Sequence, residues 1–258
     1  MKKILKSVMA AALALIILIS FFACGEEDTT VRKGKAYGMV YNSSSLCKVE
    51  MTTTGSKIDS VSFDELALIN DWSDKSVISG ETENADWQEV TVNSAVSHYA
   101  KKVQFGDRIF YSDNAGVYAL DDGTQFADWI KNGDNADYYW NCMQQGNYYI
   151  LKENGDKYDV TYLPLSEGQT TDKSKRFFKT QNGYWQAGGY GKGYIANMEA
   201  ISAFVKSKGV GYKADDAAKN DQGNFVLGGV DTGASVASFK DYYKLAQKAY
   251  ENRSEIQG

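Results

Sequence analysis

Residues 230–251 read VDTGASVASFKDYYKLAQKAYE. Phe239, Tyr242, Ala246, Ala249 and Tyr250 recur at helical spacing, so the stretch predicts an amphipathic helix from about Ser238 onward. Ser238, with Asp241 three residues on, has the form of a capping box. Ahead of it, residues 223–230 (GNFVLGGV) read as an apolar strand with glycines. The order is strand, small-residue loop, helix. Ser235 sits in the loop just before a helix N-terminus, where free N–H groups and positive potential suit a phosphate.

Upstream, residues 35–65 alternate and turn at TGSK, giving strand, turn, strand. Residues 93–104 (NSAVSHYAKKVQ) predict a helix with Val96, Tyr99, Ala100 and Val103 on one face. Residues 106–123 return to strand and turn. Phe126, Trp129 and Ile130 predict a helix that Gly133 stops. Residues 147–165 read as a hairpin turning at Asn154-Gly155, and they hold the only proline, Pro164. Residues 196–209 predict a helix with Ile201, Phe204 and Val205 inward, and Lys206 and Lys208 near its C-terminal dipole. This mixed order predicts an α+β class. Residues 112–133 and 180–209 echo each other, each running from a polar turn through aromatics into a helix, as in a decayed internal duplication. No linker rich in Pro, Gly or Ser divides the chain beyond its start, so one domain is expected over 37–258.

The N-terminus has a basic head (Lys2, Lys3, Lys6), an apolar run from Val8 to Phe22, and then FFAC ending at Cys24. The run is shorter than the about 20 residues of a membrane span, so residues 1–23 read as a signal peptide. Small residue then cysteine resembles the lipobox of bacterial lipoproteins. That resemblance implies cleavage before Cys24, lipidation of its thiol, and residues 24–36 as a polar tether. The chain is then expected on the extracytoplasmic side of a bacterial membrane. The net charge of −5 becomes about −8 without those three lysines, which disfavours nucleic acid as a partner. Cys47 and Cys142 are expected either as a disulfide, which export permits, or as two buried free thiols. The only histidine, His98, argues against a zinc cluster and a Ser-His-Asp triad.

Asp231-Thr232-Gly233 also resembles the active-site loop of aspartic proteases. Those enzymes need two such carboxylates about 3 Å apart. This chain has one such motif, with only 27 residues after Asp231, and they read as helix rather than strands. A protease is therefore excluded.

The same residues resemble the C-terminal end of FMN-binding domains with covalent flavin. Such domains occur in subunits of sodium-pumping NADH:quinone reductases and in lipoproteins of extracellular electron transfer, some known as pheromone lipoproteins. Two further stretches are similar to that family, 37–63 to its opening hairpin and 189–209 to the helix before its motif. The resemblance implies an FMN-binding-domain-like mixed sheet with flanking helices. It implies FMN joined through its phosphate to Ser235, transferred from FAD by a magnesium-dependent flavin transferase. Gly233 and Ala234 match the residues before the acceptor, Asp231 the leading acid and Ser238 the later serine, while Thr232 stands where the family has Ser. Trp185, Tyr190 and Tyr194 are candidates to stack on the ring, against ordinary core packing in a chain with 18 Tyr and 5 Trp. The implied role is an electron carrier between a membrane quinone or NADH dehydrogenase and an extracellular or periplasmic acceptor. The alternative is a cofactor-free envelope lipoprotein that binds a solute or has a structural role.

Overall fold

The computed structural model describes residues 28–92, 94–164, 166–183 and 192–256. The expected signal peptide, residues 1–23, and Cys24 lie outside the described residues. The protein mixes antiparallel sheets with a few helices, as the α+β class requires. The strands are β1 (Val31–Val40), β2 (Ser45–Thr54), β3 (Lys57–Ala67), β4 (Ile78–Ser79), β5 (Trp87–Val92), β6 (Ala95–Ala100), β7 (Lys102–Phe105), β8 (Arg108–Ser112), β9 (Tyr118–Ala119), β10 (Tyr148–Ile150), β11 (Thr161–Tyr162), β12 (Ala218–Lys219), β13 (Phe225–Leu227), β14 (Val230–Asp231) and β15 (Ser254–Glu255). The helices are α1 (Ile69–Ser73), α2 (Phe126–Trp129), α3 (Gly133–Gln144), α4 (Gly193–Lys208) and α5 (Phe239–Glu251). Among the described residues no helix is long and apolar enough to cross a membrane.

The main sheet has the order β15-β1-β2-β3, and its alternation separates two cores. Ala36, Val40, Cys47, Val49, Met51 and Phe63 face α4 and α5, packing with Ile201, Phe204, Tyr242 and Ala246. Tyr37, Leu46 and Leu66 face the other way, into a core with Trp72, Phe105, Phe110, Trp129 and Tyr139. The second core lies under the sheet β10-β7-β8-β9 and is built largely of aromatic rings. Phe105 alone meets Phe110, Phe126, Trp129, Tyr138 and Tyr139 within 6.4 Å between centroids.

Helix α5 approaches β1 closely because β1 presents glycines to it. A Cβ on Gly34 would overlap the Ala249 carbonyl oxygen, and one on Gly38 would sit 2.5 Å from Leu245 Cδ2. Gly34→Ala is expected to lower stability by about 1–3 kcal/mol, the usual cost of overpacking, as a shift of the urea midpoint at constant slope.

The structure corrects several sequence expectations. Residues 35–65 hold two turns, not one. The chain also reverses at Tyr41–Ser44, where Tyr41, Asn42 and Ser43 take φ of 52°, 54° and 65°. The fold begins before residue 37, since β1 starts at Val31 and Arg32 pairs with Glu255 across to β15. Residues 94–104 of the stretch expected as a helix are not one. Ala95–Ala100 forms a hairpin with β5, His98 lies opposite Glu89, and Val96 is exposed. The alternation of Tyr, Val and small residues wins when a partner strand is adjacent.

Gly133 does not stop a helix but opens the next one. Asn132 caps α3 by accepting from the N–H groups of Asp134 and Asn135. The turn at Asn154-Gly155 forms, with Lys152 N–H on the Asp156 carbonyl at 2.8 Å. Its second arm leaves early, however, and β11 pairs with β4 rather than with β10. Cys47 and Cys142 are buried free thiols. They belong to the two cores on opposite faces of the main sheet, so the bridge is excluded. Burial raises both thiols above their ordinary value, which leaves them unreactive. The helices of the two echoing segments also fall in different cores, α2 in one and α4 in the other.

Candidate functional site

The stretch 223–230 is a tight hairpin rather than one strand. β13 pairs with β14 through Val226↔Asp231 and Leu227↔Val230, and Gly228 and Gly229 turn the chain at φ of 61° and 75°. A loop follows, and its own side chains fix it. Thr232 is buried, with both its N–H and its hydroxyl on the Phe225 carbonyl, at 2.9 and 2.8 Å. Ala234 is buried, and its carbonyl accepts from Phe225 N–H at 2.7 Å.

Asp231 is exposed. One carboxylate oxygen accepts from Gly233 N–H at 2.7 Å, the other from the Asn220 and Asn224 amides at 2.9 and 3.2 Å. Those bonds, the Gly233 N–H first, hold its carboxyl below the ordinary range. Asp231 therefore organises a turn and is ionised, the opposite of a shared-proton acid. Gly233 takes φ of 73°, which glycine adopts without strain.

Ser235 is half-buried at the end of this loop. Its N–H and that of Val236 both donate to Asn197 Oδ1, at 2.7 and 3.0 Å. The Ser235 hydroxyl makes only a 3.4 Å contact with the same oxygen. It is thus the least committed group in a loop whose backbone is fixed. Asn197 is buried on α4, and its amide donates to the Gly193 carbonyl at 2.7 Å. Lys192, just before α4, donates to the Gly233 carbonyl at 2.8 Å and brings a cation beside the loop.

Ser238 plays a different part from the one expected. Its hydroxyl makes no helix cap. It accepts from Tyr41 N–H at 3.3 Å, so the capping box with Asp241 does not form. The β1–β2 turn has taken the oxygen, and Tyr41 is held in its left-handed position.

Of the three aromatic candidates, Trp185 and Tyr190 lie outside the described residues. Tyr194 is buried one turn before Asn197, on the same side of α4, and its hydroxyl has no hydrogen-bond partner among the described residues. Beside it is a group that sequence reasoning missed. Glu65 of β3 is fully buried, ion-paired to Lys179 at 2.5 Å, and accepts a short hydrogen bond from the Tyr242 hydroxyl. Lys179 Nζ lies 4.3 Å from the Tyr41 ring centroid and 5.5 Å from that of Tyr194. Burial raises the Glu65 carboxyl, with Lys179 and Tyr242 opposing it.

The Ser235 loop and this buried ion pair are therefore linked on two sides. Asn197 and Tyr194 of α4 make one link, and Ser238 with Tyr41 makes the other. The signal for Glu65 was an acid two residues after Phe63, on the same face of an apolar strand; Asn197 was a lone amide in an apolar helix.

Fold and site together define an α+β protein with a half-buried serine on a braced loop between a hairpin and a helix. No protein-family model, no curated protein and no solved structure matches this chain.

Proposed function

We propose that this chain is a lipid-anchored electron carrier with FMN attached by a phosphoester to Ser235. One observation carries the reading. The Ser235 hydroxyl is nearly unbonded at the end of a loop whose backbone is held by Asn197, Thr232 and Asp231. The surroundings fit the group. Lys192 offers a cation for a phosphate, the start of α5 lies three residues on, and the Tyr194 hydroxyl is buried without a partner among the described residues. FMN would supply one- and two-electron transfer. The chain's own residues do the rest. Asn197 fixes the backbone on both sides of the acceptor oxygen, and Asp231 sets the turn that presents it. Tethering through Cys24 would keep the carrier at the membrane, with a quinone or NADH dehydrogenase as donor and an extracellular or periplasmic acceptor.

The test is co-expression with an active flavin transferase, followed by denaturation. Yellow colour and a mass gain of one FMN are expected, and Ser235→Ala is expected to lose both. A colourless wild-type chain would sink the reading. Label retained in Ser235→Ala would move the attachment to Thr232 or Ser238. That outcome is disfavoured because both side chains are buried, whereas Ser235 is half-buried.

A further inference from the structure

The outer side of β10 gathers cations that have no acid among the described residues. Lys157 Nζ lies 3.5 Å from the centroid of the Tyr149 ring, and Lys173 Nζ lies 4.0 Å from the same centroid and 4.4 Å from that of Tyr148. Among the described residues neither lysine makes an ion pair, unlike the neighbouring Lys175, and the two share one tyrosine ring. Acids are at hand in the chain but turned elsewhere. Asp156, next to Lys157, accepts from the Asn154 amide. Asp172, next to Lys173, takes Ser174 and Lys175.

Behind this wall Arg176 is buried, and among the described residues it has no acid and its Nη1 no hydrogen-bond partner. Burial and the Lys157 charge hold the Lys173 ammonium down to about 8. Cations crowded together, partly stripped of water and facing no carboxylate raise the energy of the empty site, and an anion would relieve it. The site lies in the second core's sheet, and nothing in it depends on Ser235.

We propose that Lys157 and Lys173, set against Tyr149, form a binding site for an oxyanion, a phosphate or carboxylate group. The tyrosine faces hold the two ammonium groups in place, and Arg176 adds positive potential from behind. The site would give this acidic chain one local surface that attracts anions.

The test titrates inorganic phosphate, and separately acetate, into the full chain at low ionic strength, followed by amide NMR shifts. Saturable shifts at residues 148–157 and 172–174 are expected for at least one of the two anions, and which one binds tighter identifies the group. Lys157→Gln and Lys173→Gln should each weaken binding tenfold or more, while Lys173→Arg should keep it within about threefold. Lys131→Gln, far along the chain and paired with Asp128, should leave it unchanged. Absence of saturable shifts with both anions would overturn the proposal, as would equal losses in Lys131→Gln.

Discussion

Lys179→Met is expected to cost about 3–5 kcal/mol of stability near neutral pH, read from urea unfolding followed by circular dichroism. The reason is what the substitution leaves behind. Glu65 has no exposed surface, and its nearest charge is the Lys179 ammonium at 2.5 Å. Without that ammonium, a carboxylate remains between the main sheet and α5 with the Tyr242 hydroxyl as its hydrogen-bond donor. An intact buried ion pair gains little over an apolar pair, but half of one is expensive. Lys179→Met with Glu65→Leu together should therefore recover most of the loss. The cycle of single and double variants should show a coupling well above that of a surface pair.

The same loss has a defined pH dependence. Burial raises the folded-state value of Glu65 above its ordinary 4.5. A raised carboxyl binds more protons folded than unfolded, so its contribution is fully present below the unfolded value and is lost as pH rises through the folded one. Removing Lys179 takes away the strongest opposing influence and widens that window upward. The variant should thus lie nearest to wild type at about pH 4 and fall further behind as pH approaches neutrality. A stability difference that grows on acidification would contradict the assignment.

Where local pattern and tertiary surroundings agree, the sequence was readable. The helices α4 and α5 follow from the spacing of Ile201, Phe204 and Val205, and of Phe239, Tyr242 and Ala246, because each packs one apolar stripe on the main sheet. Residues 95–100 were misread for the opposite reason. Val96, Tyr99 and Ala100 satisfy helical spacing by accident, and only the partner strand β5, unseen in the local pattern, selects the extended form. Gly133 misled because one glycine can end one helix or begin another, and here Asn132 decides. At the site, the loop was visible as small residues between strand and helix. Its supports were not. Asn197 lies 38 residues from Ser235 along the chain, Lys179 114 residues from Glu65, and Tyr41 197 residues from Ser238. No local rule couples such positions, so a lone polar residue in an apolar run is the only trace they leave.

Asn197 gives the second large effect. Asn197→Leu keeps the branching of the side chain and favours the helix but removes the oxygen that receives the N–H groups of Ser235 and Val236. Leaving a buried donor unsatisfied costs about 1–3 kcal/mol per group, so a loss in that range or above is expected. Asn197→Asp keeps an acceptor oxygen for both N–H groups but turns the amide donor to the Gly193 carbonyl into an oxygen that faces it, a repulsion that protonation relieves. It should lose less than the leucine variant, although it brings a charge into a buried position. A helix that merely needed a polar side chain would rank the two alike. The functional readout separates support of the loop from general destabilisation. If Asn197 positions Ser235, flavin attachment in Asn197→Leu should fall tenfold or more at a temperature where the chain is still folded. Gly34→Ala, which loosens α5 without touching the loop, should retain it. Equal attachment in the two variants would reduce Asn197 to a structural residue and leave the acceptor loop supported by Thr232 and Asp231 alone.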